Sequence, residues 1–217
     1  MRSAEARQMP DRNLALFDFD GTITYSDSFK PFLYYSSSRM RIVRGTVRLA
    51  PKIVGYKLGL VHASQMRQSG AAAAFRGRSE AEIRRLGAEY AKTVLPGVIR
   101  PQAVERIRWH QRRGDVCVVV SASLDVYVSA WARALELDVI ATELEVAGGV
   151  LTGRYVGGDC TGTEKARRVQ ARYDLSRYPS VYAYGDTSED EALLGLADKR
   201  YFRWQKLNAP VPIRRNL

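Results

Sequence analysis

Two carboxylates come directly after a short apolar run near the start of the chain. The stretch LALFDFDGTIT, residues 14–24, places Asp18 and Asp20 behind four apolar residues that are typical of a buried strand. Strand side chains alternate, so we expect both carboxylates on one side and Phe19 on the other. Near an apolar interior such a pair needs positive charge, and a divalent cation is the usual partner. Alone, the pattern is equally typical of an acidic pair on a surface.

Two further segments offer groups that bind phosphate. Ser121 and Ala122 follow the apolar run VCVVV, where a hydroxyl and backbone N–H groups at a strand end would bind an anion. A helix cap is the simpler interpretation of Ser121 taken alone. Lys165 lies in the first turn of a predicted helix, a place that disfavours a cation unless an anion is nearby. A solvated charge is the alternative for this lysine.

A second pair of acids completes the series. The stretch YAYGDTSEDEALL ends a fourth apolar run with Gly185 and Asp186, and it places Asp190 four residues later. One acid at a strand end and one in the following helix could face the same pocket. A loop acid and an acid at a helix N-terminus would give the same pattern. The order of the four signals, each after a predicted strand or at a helix start, favours a shared site.

The elements that must position these residues alternate along the chain. Strand-like runs occupy residues 14–19, 116–120, 139–142, 180–184 and, more weakly, 200–204. Segments with helical spacing lie between them, at residues 98–113, 124–136, 163–172 and 188–197. The alternation predicts an α/β fold, a Rossmann-like doubly wound parallel sheet whose strands bind ligands at their carboxyl ends. Residues 143–157, with Gly-Gly between two short runs, predict an added small β-hairpin.

Residues 28–95 interrupt this alternation and carry most of the net charge. The segment has no convincing strand, and we expect a helical insertion after the first strand, between residues 13–27 and 96–207 of the α/β core. It holds 13 Lys and Arg residues against three acids, so its net charge is +10 out of +11 for the whole chain. Part of this charge recurs at helical spacing beside apolar residues, as a stripe of Arg41, Arg44, Arg48 and Lys52.

Composition excludes several classes of protein. With 217 residues and 46% hydrophobic residues, the chain can bury a sizeable core, and disorder is not indicated. Cys117 and Cys160 lack metal-ligand spacing and are expected to be reduced thiols. Residues 1–12 are polar, which predicts a flexible lead and no secretory signal, and no apolar run is long enough for a membrane span. A soluble cytoplasmic protein is expected, and no nucleic-acid partner is expected because no binding module is recognisable.

The ordered pattern D-x-D-G-T, S, K and G-D-x-x-x-D resembles that of the haloacid dehalogenase-like phosphohydrolases. The stretches DFDGTITYSDSFKPFL and YAYGDTSEDEALLGLAD are similar to those of the subgroup that includes phosphoserine phosphatases and phosphatidylglycerophosphatase C. The resemblance covers residues 13–204, and it implies that the insertion at residues 28–95 is a helical cap domain over a catalytic core. Its motifs are specific for the superfamily and much less so for the substrate.

This resemblance implies a role for each candidate residue. Asp18 would be the nucleophile that forms an aspartyl-phosphate, and Asp20 the general acid and base. Mg²⁺ would be held by Asp18, Asp186 and the backbone carbonyl of Asp20. The transferring phosphoryl group would be bound by Lys165, Ser121 and the backbone N–H of Ala122. Asp190 would orient Lys165 or a metal-bound water.

The sequence leaves the substrate open. A basic cap suits an anionic phosphomonoester, including a lipid phosphate at the anionic inner face of a membrane. The alternatives are a soluble small-metabolite phosphatase of the phosphoserine or sugar-phosphate type, and a phosphate-responsive binding protein without turnover. Asp27 stands near the place where phosphoserine phosphatases carry an acid that helps to recognise the amino acid. The basic cap could also be a solvated face without a ligand, and the oligomeric state is unknown.

Overall fold

The fold is built around one central strand. The computed structural model describes residues 12–208. Strand β1 (Leu14–Phe17) consists of four fully buried apolar residues. It pairs in parallel with two neighbours, β2 (Val116–Leu124) and β5 (Val181–Gly185). A strand that is apolar on both sides can bury both faces only in the interior of a covered sheet, which explains its central place.

The described residues form one seven-stranded sheet in the order β4-β3-β2-β1-β5-β6-β7. The remaining strands are β3 (Asp138–Ala147), β4 (Val150–Val156), β6 (Lys199–Phe202) and β7 (Gln205–Lys206). Pairing is antiparallel only between β3 and β4 and between β6 and β7, at the two edges. The predicted α/β fold and its β-hairpin are confirmed, and the sheet is mixed rather than purely parallel.

Eight α-helices of four or more residues accompany the sheet within residues 12–208. They are α1 (Phe29–Ser36), α2 (Arg39–Lys57), α3 (Ala63–Phe75), α4 (Glu80–Thr93), α5 (Pro101–Arg112), α6 (Asp125–Arg133), α7 (Thr163–Arg172) and α8 (Glu191–Gly195). The helix expected at residues 188–197 is shorter than predicted. It begins as a 3₁₀ turn, Ser188–Asp190, because the Asp190 side chain folds back onto the backbone before it.

Each face of the sheet has its own apolar cluster. Ala15 and Phe17 of β1 belong to the cluster that contains residues of α5, α6 and the cap. Leu14 and Leu16 point the other way and join Val169 of α7 and residues of α8. This alternation along β1 is the doubly wound arrangement in which helices cover both faces. The carboxyl ends of β1, β2 and β5 therefore lie at one edge of the sheet.

Helices α1–α4 lie within residues 28–95, which we call the cap. The chain leaves and re-enters the core at adjacent points, because Tyr25 N donates to Val98 O at 2.8 Å and Arg100 N donates to Ile23 O at 2.8 Å. Helix α4 packs directly against the start of α6. A Cβ added at Gly87 would lie 2.3 Å from the carbonyl oxygen of Val126, so only glycine allows this approach.

One arginine of the cap ties it to the core. Arg67 on α3 donates through Nε to Asp159 Oδ2 at 2.8 Å and through Nη2 to Glu189 Oε2 at 3.2 Å. The Asp159 side chain is only 6% exposed. Thr161 Oγ1 also donates to Glu189, at 2.6 Å. Cap and core are therefore joined by an ion-pair network beside the loops that precede α7 and α8.

The structure can be compared with three further expectations, on membrane spans, on the cysteines and on the leading segment. Among residues 12–208, no helix combines the length and apolarity that a bilayer span requires. Cys117 and Cys160 are both buried free thiols. The predicted flexible lead falls almost entirely on residues 1–11, which lie outside the described residues.

Candidate active site

Asp18 stands at the end of the central strand, one residue past its last member. Strand β1 ends at Phe17, two residues earlier than the predicted run 14–19, and Asp18 N still donates to Tyr184 O at 2.9 Å. Asp20 lies in the tight turn that follows. The turn, rather than strand alternation, therefore places the two carboxylates. Gly21 has a φ of +82°, and a Cβ there would lie 2.3 Å from Asp186 Oδ2.

Lys165 joins Asp18 to Asp190 in a buried chain of charges. Its Nζ donates to Asp18 Oδ1 at 2.5 Å and to Asp190 Oδ1 at 2.6 Å, and all three side chains are at most 7% exposed. Burial opposes the charge of Lys165, but the two carboxylates outweigh it and raise the pKa of the ammonium above its ordinary value. A cation in the first turn of α7 is tolerated because these carboxylates face it.

Burial has the opposite effect on the pKa of Asp18 from its effect on the pKa of Lys165. It raises the pKa of this carboxyl to about 8, against the lowering effect of Lys165, and the charge of Asp190 adds to the rise. A carboxylate in such a place is stabilised further by any cation that binds beside it. A second cation beside Asp18, in addition to Lys165, would therefore stabilise the charged form of this carboxyl group.

Asp190 also shapes the loop after β5. Its Oδ2 accepts hydrogen bonds from the backbone N–H groups of Asp186 at 3.0 Å and Thr187 at 3.1 Å. A Cβ at Gly185 would lie 2.5 Å from Asp190 Cβ, so glycine is needed for this close return of the chain. Both Asp190 oxygens are thus engaged, one with the lysine and one with the loop. Thr22 Oγ1 donates to Asp186 Oδ1 at 3.1 Å and fixes that carboxylate as well.

Asp20 has a different environment, made of hydroxyl and amide donors. The backbone N–H of Ser28 donates to its Oδ1 at 2.9 Å, and Ser123 Oγ donates to its Oδ2. Tyr127 OH donates to Ser123 Oγ at 2.7 Å and supports it from α6. Burial raises the pKa of Asp20 to about 6, although the bonds from Ser123 and Ser28 oppose this rise. A carboxyl with such a pKa can exchange a proton near neutral pH.

Ser28, Ser123 and Tyr127 are partners of the site that the sequence analysis missed. The alternation of hydroxyls in the stretch SAS was the available signal for Ser123, because residues i and i+2 of an extended chain share a face. Ser28 and Tyr127 gave no comparable signal. They reach Asp20 and Ser123 only through the packing of α1 and α6.

Ser121 and Ala122 lie where β2 ceases to pair regularly with β3. The register shifts between Val120 and Leu124, and Ser121 and Ala122 fall in this gap. Ser121 is buried, and its Oγ accepts a hydrogen bond from the backbone N–H of Ser123 at 3.0 Å. The proton of the Ser121 hydroxyl is then available for an acceptor outside this loop.

The donor set suits a magnesium ion. Carboxylate oxygens of Asp18, Asp186 and Asp190 lie within 4.8 Å of one another. Among residues 12–208, Asp18 Oδ2 and Asp186 Oδ2 accept no side-chain hydrogen bond, whereas Asp190 uses both oxygens. Mg²⁺ is commonly held by one or two carboxylates together with waters and phosphate oxygens. Asp18 and Asp186 fit that requirement best, and the Asp20 side chain is turned toward Ser28 and Ser123.

Comparison with known proteins assigns the family. A family model for haloacid dehalogenase-like hydrolases matches residues 15–195. The chain belongs to the haloacid dehalogenase-like hydrolases. The match includes every candidate residue of the site, from Asp18 to Asp190. The resemblance seen in the sequence is therefore confirmed at the level of the family.

The chain is also similar, over most or part of its length, to three individual proteins. Protein CicA of Caulobacter vibrioides (strain NA1000 / CB15N) is 34% identical over 199 residues, which cover 88% of this chain and 85% of CicA. Phosphoserine phosphatase SerB2 of Mycobacterium tuberculosis is 39% identical over 103 residues, 46% of this chain and 25% of SerB2. A crystal structure of a protein of unknown function from Bordetella pertussis Tohama I has a TM-score of 0.72 and 26% identity, covering 88% and 89% of the two chains.

Proposed function

We propose that this hydrolase cleaves phosphomonoesters with the help of Mg²⁺ and an aspartyl-phosphate intermediate. The observation that carries the proposal is the contrast between the two neighbouring carboxylates. Asp18 is buried against the cation of Lys165, whereas Asp20 is held by hydroxyl and amide donors with its pKa raised to about 6. Two carboxyl groups in separate environments can take separate roles in one reaction. The prediction of a phosphatase agrees with the family and with the similarity to SerB2.

The first half-reaction transfers the phosphoryl group to the protein. Asp18 attacks phosphorus in line through one of its two carboxylate oxygens, so a P–O bond to Asp18 forms while the P–O bond to the leaving group breaks. Asp20 donates a proton to the departing oxygen, which leaves as an alcohol. Mg²⁺ bound at Asp18 and Asp186 would neutralise phosphoryl oxygens. Lys165 holds Asp18 in place for the attack.

The second half-reaction returns the enzyme to its starting state. Asp20, now a carboxylate, takes a proton from a water molecule, and the water oxygen attacks phosphorus. The bond to Asp18 breaks and inorganic phosphate is released. Throughout, the Ser121 hydroxyl, the Ala122 N–H and Lys165 would donate to the phosphoryl oxygens. Asp190 serves this step by positioning Lys165.

The substrate is proposed from the charge of the cap. An anionic phosphomonoester suits a cap of net charge +10, and a lipid phosphate presented at an anionic membrane surface is our first choice. The similarity to SerB2 favours the second candidate, a soluble small-metabolite phosphatase of the phosphoserine type. A phosphate-responsive binding protein is disfavoured, because binding alone does not need a carboxylate nucleophile beside a proton donor.

Helix α2 supports a peripheral contact with a membrane. None of its residues is fully buried. Its outward side combines exposed apolar residues with the cations Arg44 and Arg48. These two arginines form no hydrogen bond or ion pair within residues 12–208. The exposed apolar residues are Met40, Val43, Val47 and Val54. The predicted stripe divides here, since Arg41 donates to carbonyls of Ala74 and Arg76 and Lys52 to Ser69. Cations beside an apolar stripe favour an anionic lipid surface.

Hydrolysis of p-nitrophenyl phosphate tests the proposed function. We expect activity with added Mg²⁺, its loss in excess chelator, and its recovery when Mg²⁺ is restored. Ca²⁺ should substitute poorly, because it favours a looser coordination shell of higher number. Full activity in excess chelator would refute the metal requirement, and the absence of turnover of any phosphomonoester would favour the binding protein.

A further inference from the structure

The cap contains an open cavity of about 450 Å³ between α1, α2 and α3. Its walls are mainly apolar and include Leu33, Ile42, Leu49, Ile53, Met66 and Ala73. These side chains are all only half-buried, so they turn uncovered apolar surface toward the cavity. Its volume lies in the range of small-molecule binding sites.

Two glycines allow the helices around this cavity to approach each other closely. Gly45 and Gly70 both line the cavity. A Cβ at Gly45 would lie 3.3 Å from Ala73 Cβ, and one at Gly70 would lie 3.2 Å from Leu33 Cδ1. The helices thus approach each other closely at these two points. Side chains here would push into the neighbouring wall.

Residues of the cavity lining adjoin the candidate active site at two places. Asp27 and Lys30 line it, and Ser28 between them donates its backbone N–H to Asp20 at 2.9 Å. Arg67, also in the lining, reaches Glu189, the neighbour of Asp190, at 3.2 Å. A leaving group protonated by Asp20 would therefore lie beside residues that border this apolar cavity.

We propose that this cavity binds an alkyl chain on the leaving group of the phosphomonoester. The inference rests on the proposed function and narrows its substrate to an amphiphilic phosphomonoester. The phosphoryl group would lie at Asp18 and the chain between α1, α2 and α3. The exposed cation Lys30 along the lining suits the polar, anionic end of such a molecule, whereas Arg41 and Arg67 are already engaged within the protein. A small zwitterionic leaving group would leave the apolar walls uncovered.

A series of alkyl phosphates tests this inference. Ethyl, butyl, hexyl and octyl phosphate release alcohols of similar acidity, so chain length changes binding more than chemistry. Assayed below their critical micelle concentrations, we expect kcat/KM to rise by up to about fourfold per methylene until the cavity is filled. Equal kcat/KM values for all four esters in the wild type would overturn the inference.

Matched variants locate the effect. Leu49→Trp fills the cavity from α2, and we expect it to reduce the ratio of octyl to ethyl phosphate turnover by at least about tenfold. Ala50→Trp is the control, because the neighbouring Ala50 is exposed and does not line the cavity. It should retain the wild-type ratio, and circular dichroism should show both variants folded. Equal losses of the ratio in both variants would contradict the assignment.

A binding measurement separates this inference from the proposed function. Calorimetry with octylphosphonate and ethylphosphonate requires no hydrolysis, and the longer compound should bind more tightly to wild type but not to Leu49→Trp. If no phosphomonoester is hydrolysed yet this preference holds, the proposed function fails and the cavity assignment stands. If p-nitrophenyl phosphate is hydrolysed without any preference for length, only the cavity assignment fails. Turnover of phosphatidic acid in vesicles, compared with monomeric octyl phosphate, distinguishes a membrane source of the chain from a dissolved one.

Discussion

The two aspartates of the D-x-D pattern are separated by one residue and yet face different chemistry. Asp18 contacts an ammonium group, and Asp20 contacts a backbone N–H and a hydroxyl. The difference comes from the turn at Gly21 and from three distant segments that close around it. A nucleophile needs a fixed position, whereas a proton donor needs a pKa near the working pH, and these two environments favour those two properties.

Replacing Asp18 should abolish turnover. In Asp18→Asn the amide cannot form the acyl-phosphate bond, so we expect kcat for p-nitrophenyl phosphate to fall by about three orders of magnitude or more. Circular dichroism and gel filtration should show a folded protein. Hydrolysis near the wild-type rate in a cleanly purified variant would rule out the covalent mechanism.

The loss of rate on replacing Asp20 should depend on the leaving group of the substrate. Asp20→Asn removes the proton donor, so we expect an alkyl phosphate to lose about a hundredfold or more in rate. p-Nitrophenyl phosphate should lose less in the phosphorylation step, because p-nitrophenolate leaves without a proton. Single-turnover kinetics on both substrates measures this difference.

Ser123→Ala is the matched control for that experiment. It keeps the Asp20 carboxylate but removes the hydroxyl that donates to it. A loss intermediate between wild type and Asp20→Asn is expected on the alkyl phosphate. Equal losses on both substrates in Asp20→Asn would contradict the role of Asp20 as general acid.

The residues of the site were predictable to the extent that they follow strands. Asp18, Ser121 and Asp186 each come after a run of apolar residues, and such runs are visible in a single sequence. Ser28 and Tyr127 were not predictable, because their contacts with Asp20 and Ser123 depend on how α1 and α6 pack. The dual engagement of Asp190 could not be read either, since it requires the 3₁₀ turn that replaces the expected helix start.

At the scale of elements, helix α2 has two apolar sides with different exposures. Ile42 and Leu49 face the cavity, whereas Val43 and Val47 face outward. Helical spacing alone grouped these four residues beside the basic stripe. The sequence could not separate them, because a helix with cations on one side gives no indication of which apolar side its neighbours cover.

Charge on α2 should govern binding to anionic membranes. We expect the wild type to sediment with anionic liposomes at low salt and less with neutral ones. Arg44→Gln with Arg48→Gln should weaken this binding about tenfold or more, because each basic residue near such a surface contributes about 1 kcal/mol. Added salt should weaken it too, by screening. Hydrolysis of p-nitrophenyl phosphate by this double variant should remain unchanged.

A control with the same change in charge excludes a general effect. Arg108→Gln with Arg112→Gln alters two exposed residues of α5, outside the cap. These changes should leave liposome binding near the wild-type level. If the two double variants bind equally, or if the wild type ignores anionic liposomes, α2 does not face lipid and the soluble substrate becomes the better candidate.

At the scale of the whole molecule, a buried histidine links α5 to the sheet. His110 is fully buried, with Nδ1 2.7 Å from Asp115 Oδ2 and Nε2 2.9 Å from Tyr184 OH. Burial lowers the pKa of His110 below its ordinary value of 6.5, although Asp115 opposes this effect and the nearby Arg106 and Arg113 reinforce it. The folded protein therefore keeps this imidazole neutral where the unfolded chain would protonate it.

This histidine predicts how stability depends on pH. Below pH 6.5 the unfolded chain binds a proton on this histidine that the folded chain does not, so the contribution of His110 to the free energy of unfolding falls as the pH decreases toward the folded pKa. The slope from this group is at most about 1.4 kcal/mol per pH unit. Urea unfolding from about pH 7 to 5 measures it. His110→Gln should flatten the slope while lowering stability by about 1–3 kcal/mol, since buried partners lose a hydrogen bond.

The exposed His62 provides the comparison for that measurement. His62→Gln should keep the slope of the wild type in the same pH range. Asp18 and Asp20, whose pKa values burial raises, act in the opposite sense over part of this range, so the test is the difference in slope between the wild type and His110→Gln. Equal slopes in these two proteins would contradict the assignment to His110. A slope that survives in His110→Gln would assign it to other groups.

The network around Arg67 should control how firmly the cap is held. Arg67→Met leaves Asp159 buried without its cation, and we expect a loss of about 3 kcal/mol in the free energy of unfolding. Asp159→Asn added to Arg67→Met should restore part of this loss, because the unpaired charge is then removed. Denaturant unfolding of the single and double variants tests the coupling. Additive effects of the two changes would show that the pair is not coupled.

The adjacent exit and re-entry of the chain at the cap has a consequence for how such enzymes diversify. Backbone hydrogen bonds join Tyr25 to Val98 and Arg100 to Ile23, so the two chain segments that connect the cap to the core lie side by side. A lid of any length whose own ends meet could be grafted between them without altering the register of β1 with β2 or β5. Evolution can therefore replace the cap, which contacts the leaving group, while the residues that transfer the phosphoryl group stay unchanged. Domains of different structure can be inserted at this one place in the core, and the range of substrates can change with the inserted domain.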